Sequence, residues 1–266
     1  MQLKAVIFDW AGTVIDHGSL APMGAFVEAF AEFGIALSTA EARGPMGMAK
    51  RPHVAALMRL PRVAAEWNKA HGRVPTEADI DAVYGAFVPK NVAVAAKYAD
   101  LIPGTAELVA TLRERGLKIG STTGYTREIM AEVLPVAARQ GFSPDAMACT
   151  GDAADGRPTP LLYYRNLLDL GIWPATATVK VDDTEVGIAE GLNAGGWTVG
   201  VAMTGNLVGL SRQELVALPA EERYRLRQSA TGKMLAAGAH FVIDCVADLL
   251  PVLDAIEGRM LRGERP

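Results

Sequence analysis

The sequence predicts an α/β protein: a doubly wound, mainly parallel sheet carrying an inserted all-helical segment. Three observations predict it. From Pro103 onward, short apolar runs alternate with helix-length amphipathic segments, the pattern of a parallel sheet covered on both faces. A run of the same kind, Ala5-Val6-Ile7-Phe8, stands alone near the start of the chain. Between about residues 19 and 99 there is helical periodicity and no convincing strand.

The elements follow in order. Met23, Phe26, Val27, Phe30 and Phe33 mark a helix over 22–34. Ser38 with Glu41 and Thr76 with Asp79 read as capping boxes opening two further helices. Between them Pro52 opens a helix through Leu57 and Leu60. The alternating part predicts helices over 104–115, 126–139, 159–170, 185–194 and 246–257, and strands over 117–121, 145–149, 177–182, 197–202 and 240–244. The connection 204–239 is long enough to hold helices of its own, one started by Ser211 with Glu214. The expected division is a Rossmann-like core, 1–18 and 100–266, interrupted by a helical cap domain, 19–99.

Composition narrows the function. Half of the 266 residues are hydrophobic, enough for a sizeable core. A net charge of −4 argues against nucleic-acid or anionic-membrane partners. Cys149 and Cys245 match no metal or redox spacing and are expected to be thiols. The N-terminal apolar run stops at Asp9, too short for a signal peptide. No stretch approaches the ~20 apolar residues that span a bilayer. A cytoplasmic protein is expected.

Four strand ends carry reactive groups. Asp9 follows the first strand, with Gly12 and Thr13 offering a turn that can cradle an anion. Ser121-Thr122-Thr123-Gly124 ends the second. Arg157 lies just before a helix start, and Asp182-Asp183 closes another strand. A single acidic strand end is usually a cap. In a parallel sheet, however, these ends share one edge, where such folds bind ligands.

In this order the four ends resemble the motifs of the haloacid dehalogenase superfamily, over about residues 1–18 and 100–205. Asp9-Trp10-Ala11-Gly12-Thr13, Met46-Gly47-Met48-Ala49-Lys50-Arg51-Pro52-His53 and Ser121–Glu128 resemble its phosphonoacetaldehyde hydrolase (phosphonatase) family more closely. That resemblance implies Mg²⁺-dependent cleavage of a carbon–phosphorus bond during 2-aminoethylphosphonate breakdown, and a homodimer formed through the caps. Phe26, Phe30 and Phe33 fit such an interface or the cap's own core.

By the same resemblance Asp9 is the phosphoryl acceptor. Asp9, Asp183 and the Ala11 carbonyl hold the metal. Arg157 stands in place of the superfamily's usual lysine, Thr123 joins the catalytic set, and Gly12, Thr13, Met46 and Gly47 bind substrate. Asp182 is expected to point away from Asp183 if the strand geometry persists. Gly187 stands where some members carry another aspartate.

Ala11 is the informative departure. Superfamily phosphatases carry there a second aspartate that protonates the leaving alkoxide, and its loss costs ~10²–10⁴-fold. A carbon leaving group needs an electron sink instead. Lys50 supplies one if its amine forms an imine with an aldehyde. The amine must then be neutral, its pKa lowered by desolvation and a helix N-terminus. Most lysines are solvated surface charges, so this role rests on the motif. His53, one turn on, is a candidate proton carrier or a packed core histidine. Tyr125 is a candidate phosphonate or proton-relay contact, and Met46 could pack over the imine or serve as filler. The alternatives are a phosphate-ester phosphatase of the same superfamily, a dehalogenase, and a non-catalytic phospho-ligand sensor. Ala11 opposes the first, Thr13 with Asp183 the second, and joint retention of Asp9, Lys50, Arg157 and Asp183 the third.

Overall fold

A six-stranded, wholly parallel sheet runs through the computed structural model, which describes residues 2–266; Met1 of the expected core segment lies outside them. In chain order the elements begin β1 (Ala5–Phe8), α1 (Ala21–Ala31), α2 (Thr39–Arg43), α3 (Lys50–Met58), α4 (Pro61–His71), α5 (Glu77–Ala95) and α6 (Thr105–Glu114). They continue β2 (Lys118–Thr126), α7 (Arg127–Arg139), β3 (Ala146–Thr150), α8 (Leu161–Leu170), β4 (Thr178–Asp182) and α9 (Glu185–Ala194). The chain closes with β5 (Trp197–Val201), α10 (Arg212–Ala217), α11 (Ala220–Ala236), β6 (Phe241–Ile243) and α12 (Leu249–Leu261).

The strand order is β3-β2-β1-β4-β5-β6. Strand order reverses between β1 and β4, so the carboxyl ends of those two strands flank the crevice where doubly wound sheets bind ligands. Val6, Phe8, Val179, Val181 and Val199 pack with residues of α6, α7 and α12 on one face. Ala5 and Ile7 meet Tyr163 and Leu167 of α8 on the other.

Every helix between β1 and α6 belongs to one helical insert with a separate apolar cluster. Phe26 anchors it, stacked on Phe87 at 4.2 Å and on His53 at 4.1 Å. Phe26 and Phe30 are fully buried inside the cluster, whereas Phe33 is half-buried against Trp67. The first two therefore fill the insert rather than its surface. The three capping boxes read from the sequence are present at Ser38, Thr76 and Ser211.

The two chain segments joining insert and sheet run side by side, with Ile102 N donating to Val14 O at 2.9 Å and Asp16 N to Asp100 O at 3.3 Å. Asp16 takes a left-handed conformation, and its carboxylate accepts from Leu20 N and Ala21 N, both at 2.9 Å. It thereby supplies partners for the open N–H groups at the start of α1.

Some boundaries differ from expectation. β2 continues past residue 121 to Thr126, because its pairing with β3 resumes after an irregularity between Thr123 and Thr126. The α3 helix begins at Lys50, placing Pro52 in its first turn, where a missing N–H costs nothing. The final helix begins at Leu249, after a 3₁₀ turn over Val246–Asp248. Both cysteines are free thiols. Among the described residues no helix is long and apolar enough to cross a membrane.

Candidate active site

Asp9 extends the β1 ladder by one bond, its N donating to Val181 O at 2.9 Å, and the chain then turns away. This fixes the carboxylate at the crevice. Asp9, Ala11, Met46, Gly47, Lys50, Thr123, Tyr125, Arg157 and Asp183 line one pocket there, together with Ser19, Pro22, Gly124 and Thr184. Its free space is about 20 Å³, little more than one water molecule needs.

Arg157 is buried and makes its contacts in several directions. Its Nη1 donates to Asp9 Oδ1 at 2.8 Å, and its Nη2 to Thr122 Oγ1 at 2.7 Å. Its Nε lies 3.1 Å from Glu190 Oε2. Behind it, Lys180 Nζ donates to Thr122 Oγ1 at 2.6 Å and lies 2.9 Å from Glu190 Oε2 and 3.1 Å from Asp182 Oδ2. Arg157, Thr122, Lys180, Asp182 and Glu190 thus occupy what would otherwise be apolar sheet interior. Buried charges survive there because each faces an opposite charge.

Asp182 does not point away as strand alternation predicts. β4 ends at Asp182, so the alternation lapses before Asp183. One oxygen from each of Asp9, Asp182 and Asp183 lies within 4.8 Å of the others. Asp182 is already occupied: Oδ1 accepts from Thr184 N at 3.0 Å and Thr184 Oγ1 at 2.7 Å. Its Oδ2 makes looser ion pairs with Lys180 and with Arg157, the latter at 3.3 Å. A Cβ at Gly187 would lie 1.9 Å from Asp182 Oδ2. The Asp182 carboxylate therefore fills the space that a side chain at 187 would need.

The electrostatics separate these carboxylates. Asp182 stays below the ordinary range, because Arg157 and Lys180 outweigh its burial. Asp183 is pushed well up by burial and by the charges of Asp9 and Asp182. Asp9 is pushed up by burial and by Asp182, against the pull of Arg157. Two buried carboxylates that resist ionising side by side, offering only oxygen, fit a hard divalent cation. Asp9 and Asp183 would hold it, because Asp182 is committed elsewhere.

Gly12 and Thr13 form no anion cradle. Gly12 N donates to Ile15 O at 2.7 Å and Thr13 N to Trp10 O at 3.1 Å, so both donors are used within the turn. Neither residue lines the pocket. Thr13 Oγ1 instead faces Asp183 Oδ1 at 3.4 Å. Gly12 has φ +85°, and a Cβ there would lie 2.2 Å from Asp183 Oδ2. Both residues support Asp183 from behind.

Lys50, the first residue of α3, is 3% exposed. Its Nζ lies 3.9 Å from Met46 Sδ and 5.3 Å from the centre of the Tyr125 ring. Burial lowers its pKa to about 8, against the opposing pull of Asp9. Tyr125 is held close by its own N–H, which donates to Thr123 Oγ1 at 3.1 Å. Burial raises the Tyr125 phenol well above its ordinary value, so it stays protonated. His53 is not a pocket-lining residue. Its Nε2 lies 2.8 Å from Ala42 O, its ring stacks on Phe26, and burial lowers its pKa to about 3. It is a neutral imidazole packed behind Lys50.

This geometry has close relatives. Residues 3–195 match the family described as haloacid dehalogenase-like hydrolase. A phosphonoacetaldehyde hydrolase of Paraburkholderia xenovorans is 61% identical over 265 residues, covering 100% of this chain and 99% of that protein. The chain belongs to the phosphonoacetaldehyde hydrolase family. Another member, from Klebsiella pneumoniae, is 46% identical over 267 residues, covering 100% of this chain and 99% of that one. The crystal structure of a phosphonoacetaldehyde hydrolase-like protein from Oleispira antarctica superposes with a TM-score of 0.99 at 42% identity, covering 100% of this chain and 96% of that one. The family is one of hydrolytic enzymes, and this chain is a hydrolase of the haloacid dehalogenase superfamily.

Proposed function

We propose that the protein hydrolyses the carbon–phosphorus bond of phosphonoacetaldehyde, giving acetaldehyde and phosphate, in the breakdown of 2-aminoethylphosphonate. One observation carries this: a buried lysine amine and the strand-end carboxylate Asp9 line the same small pocket. The names of the relatives support the substrate.

Lys50 attacks the aldehyde as a neutral amine and expels water, forming a protonated imine. A pKa of about 8 leaves roughly a tenth of the amine neutral at pH 7. Asp9, with Oδ1 held by Arg157, attacks phosphorus through its other oxygen. The C–P electron pair moves into the imine, which becomes an enamine. Water then cleaves the aspartyl-phosphate. Protonation and hydrolysis of the enamine release acetaldehyde and restore Lys50. Arg157 neutralises charge on Asp9 and on the phosphoryl oxygens.

Mg²⁺ held by Asp9, Asp183 and the Ala11 carbonyl would supply charge neutralisation at the phosphoryl group. His53, a neutral imidazole with Nε2 2.8 Å from Ala42 O, supports Lys50 from behind rather than carrying a proton. Met46 and Gly47 close over the substrate, and Tyr125 lies beneath the imine. The helical insert, residues 19–99, acts as the cap that excludes water from the intermediates. By family resemblance the protein is a homodimer joined through these caps, without nucleic-acid or membrane partners.

A phosphate-ester phosphatase is the competing enzyme. Phosphate release from phosphonoacetaldehyde, without comparable release from p-nitrophenyl phosphate, is the expected result. The opposite preference would overturn the proposal. Position 11 gives a second test. Ala11→Asp adds a negative charge near Asp9; at about 5 Å and an effective dielectric of about 20 the repulsion is about 3 kcal/mol. Phosphonoacetaldehyde turnover is expected to fall at saturating Mg²⁺, with weak activity on phosphate esters gained. Unchanged or faster C–P cleavage by the variant would contradict this account of Ala11.

A further inference from the structure

Arg43, the last residue of α2, crosses from the helical insert into the sheet-bearing part of the molecule. Its Nη1 donates to Gly18 O at 2.9 Å and to Asn206 Oδ1 at 3.1 Å, and its Nη2 to Gly209 O at 3.0 Å. The guanidinium lies so close to the backbone at Gly209 that a Cβ there would come within 2.6 Å of Arg43 Cζ. Asn206 returns the contact, its Nδ2 donating to Arg43 O at 3.4 Å. The backbone N of Asn206 donates to Asp183 Oδ2 at 2.7 Å. A continuous chain of hydrogen bonds therefore runs from the insert, through the loop after β5, to the carboxylate expected to hold the metal.

The same insert covers the pocket, with Met46, Gly47 and Lys50 lining it opposite Asp9 and Asp183. The insert loop closes the pocket: a Cβ at Gly124 would lie 2.9 Å from Met48 O, and one at Gly47 2.4 Å from Thr184 Oγ1. These are close steric approaches, which only glycine permits, and not directional bonds. The Arg43 fork is directional and holds three partners in fixed geometry, which a lysine ammonium does not reproduce.

We propose that Arg43 is a positioning residue: a latch that holds the insert closed and, through Asn206, sets the orientation of Asp183 in the same movement. This rests on the reading of the insert as a cap. Closing the cap and preparing the metal carboxylate become one event, so the site is complete only when water is excluded.

Hydrogen–deuterium exchange of the metal-free and substrate-free protein tests the latch without reference to turnover. In Arg43→Lys, amides over 44–50 and over 205–210 are expected to exchange at least about tenfold faster. The strands at 5–8 and 178–182 should keep wild-type protection. The Mg²⁺ concentration for half-maximal phosphate release should rise by about tenfold. If Arg43→Lys loses strand protection, Asn206→Ala, which keeps the backbone N–H to Asp183, should give the same paired increase. Wild-type exchange in either segment of a folded variant overturns the latch. Absence of phosphate release by the wild type would overturn the proposed activity instead, and leaves the exchange comparison intact.

Discussion

Replacing Lys50 by arginine is expected to lower kcat/KM for phosphonoacetaldehyde by at least about 10³-fold, or about 4 kcal/mol of transition-state stabilisation, with the fold retained. Arginine keeps a positive charge in the pocket. Its guanidinium stays protonated at any working pH and does not form an imine with an aldehyde. If Lys50 merely attracted the phosphonate, arginine would serve and the loss would be small. The wild-type pH profile carries the complementary signature. The neutral amine is the reactive form, so kcat/KM should rise with pH and level off above about 8, where burial places the Lys50 pKa. Circular dichroism and melting of Lys50→Arg separate loss of chemistry from loss of fold.

The second large effect concerns the metal. Chelation by EDTA is expected to abolish turnover, and added Mg²⁺ to restore it. Asp183→Asn should raise the Mg²⁺ requirement by about 10²-fold, because one of two charged ligands becomes a neutral amide. Without metal the sign reverses for stability. Asp183 is a buried carboxylate pushed up by burial and by Asp9 and Asp182. Its raised pKa means that the folded state holds a proton that the unfolded state releases. Metal-free wild type should therefore lose stability as pH rises from about 4 through the folded pKa of Asp183. Asp183→Asn lacks that loss and should be the more stable of the two at neutral pH in EDTA. Full wild-type activity in chelator would contradict the metal assignment.

The sheet was legible because short, mostly apolar runs such as Ala5–Phe8 and Trp197–Val201 recur between helix-length segments. The insert was legible because its apolar residues recur at helical spacing and Ser38 and Thr76 carry their partner acids three residues on, a purely local signal. Lys50 could be singled out only through the motif around it, since nothing in a lysine's own neighbours reports burial. The ion cluster behind Arg157 was not legible at all. Lys180 and Glu190 are separated by ten positions and meet Thr122 from 58 and 68 residues away. Nothing in their sequence neighbours reports that meeting. Asp182 keeps an oxygen near Asp183 because alternation holds only while the strand lasts, and the strand stops there. Gly12 and Thr13 lost their expected role to the turn's own carbonyls, which a motif does not display. Arg43 and Asn206 carried no signal, because a latch between two segments 163 residues apart exists only after folding.

The imine at Lys50 is the central claim, and borohydride trapping tests it most directly. Wild-type protein is incubated with phosphonoacetaldehyde and Mg²⁺, reduced with sodium borohydride, digested, and mapped by mass spectrometry. A two-carbon adduct on Lys50, appearing in step with irreversible inactivation and absent without substrate, is the predicted result. Inactivation with the adduct on a different lysine, or continued turnover with Lys50 unmodified, would contradict it.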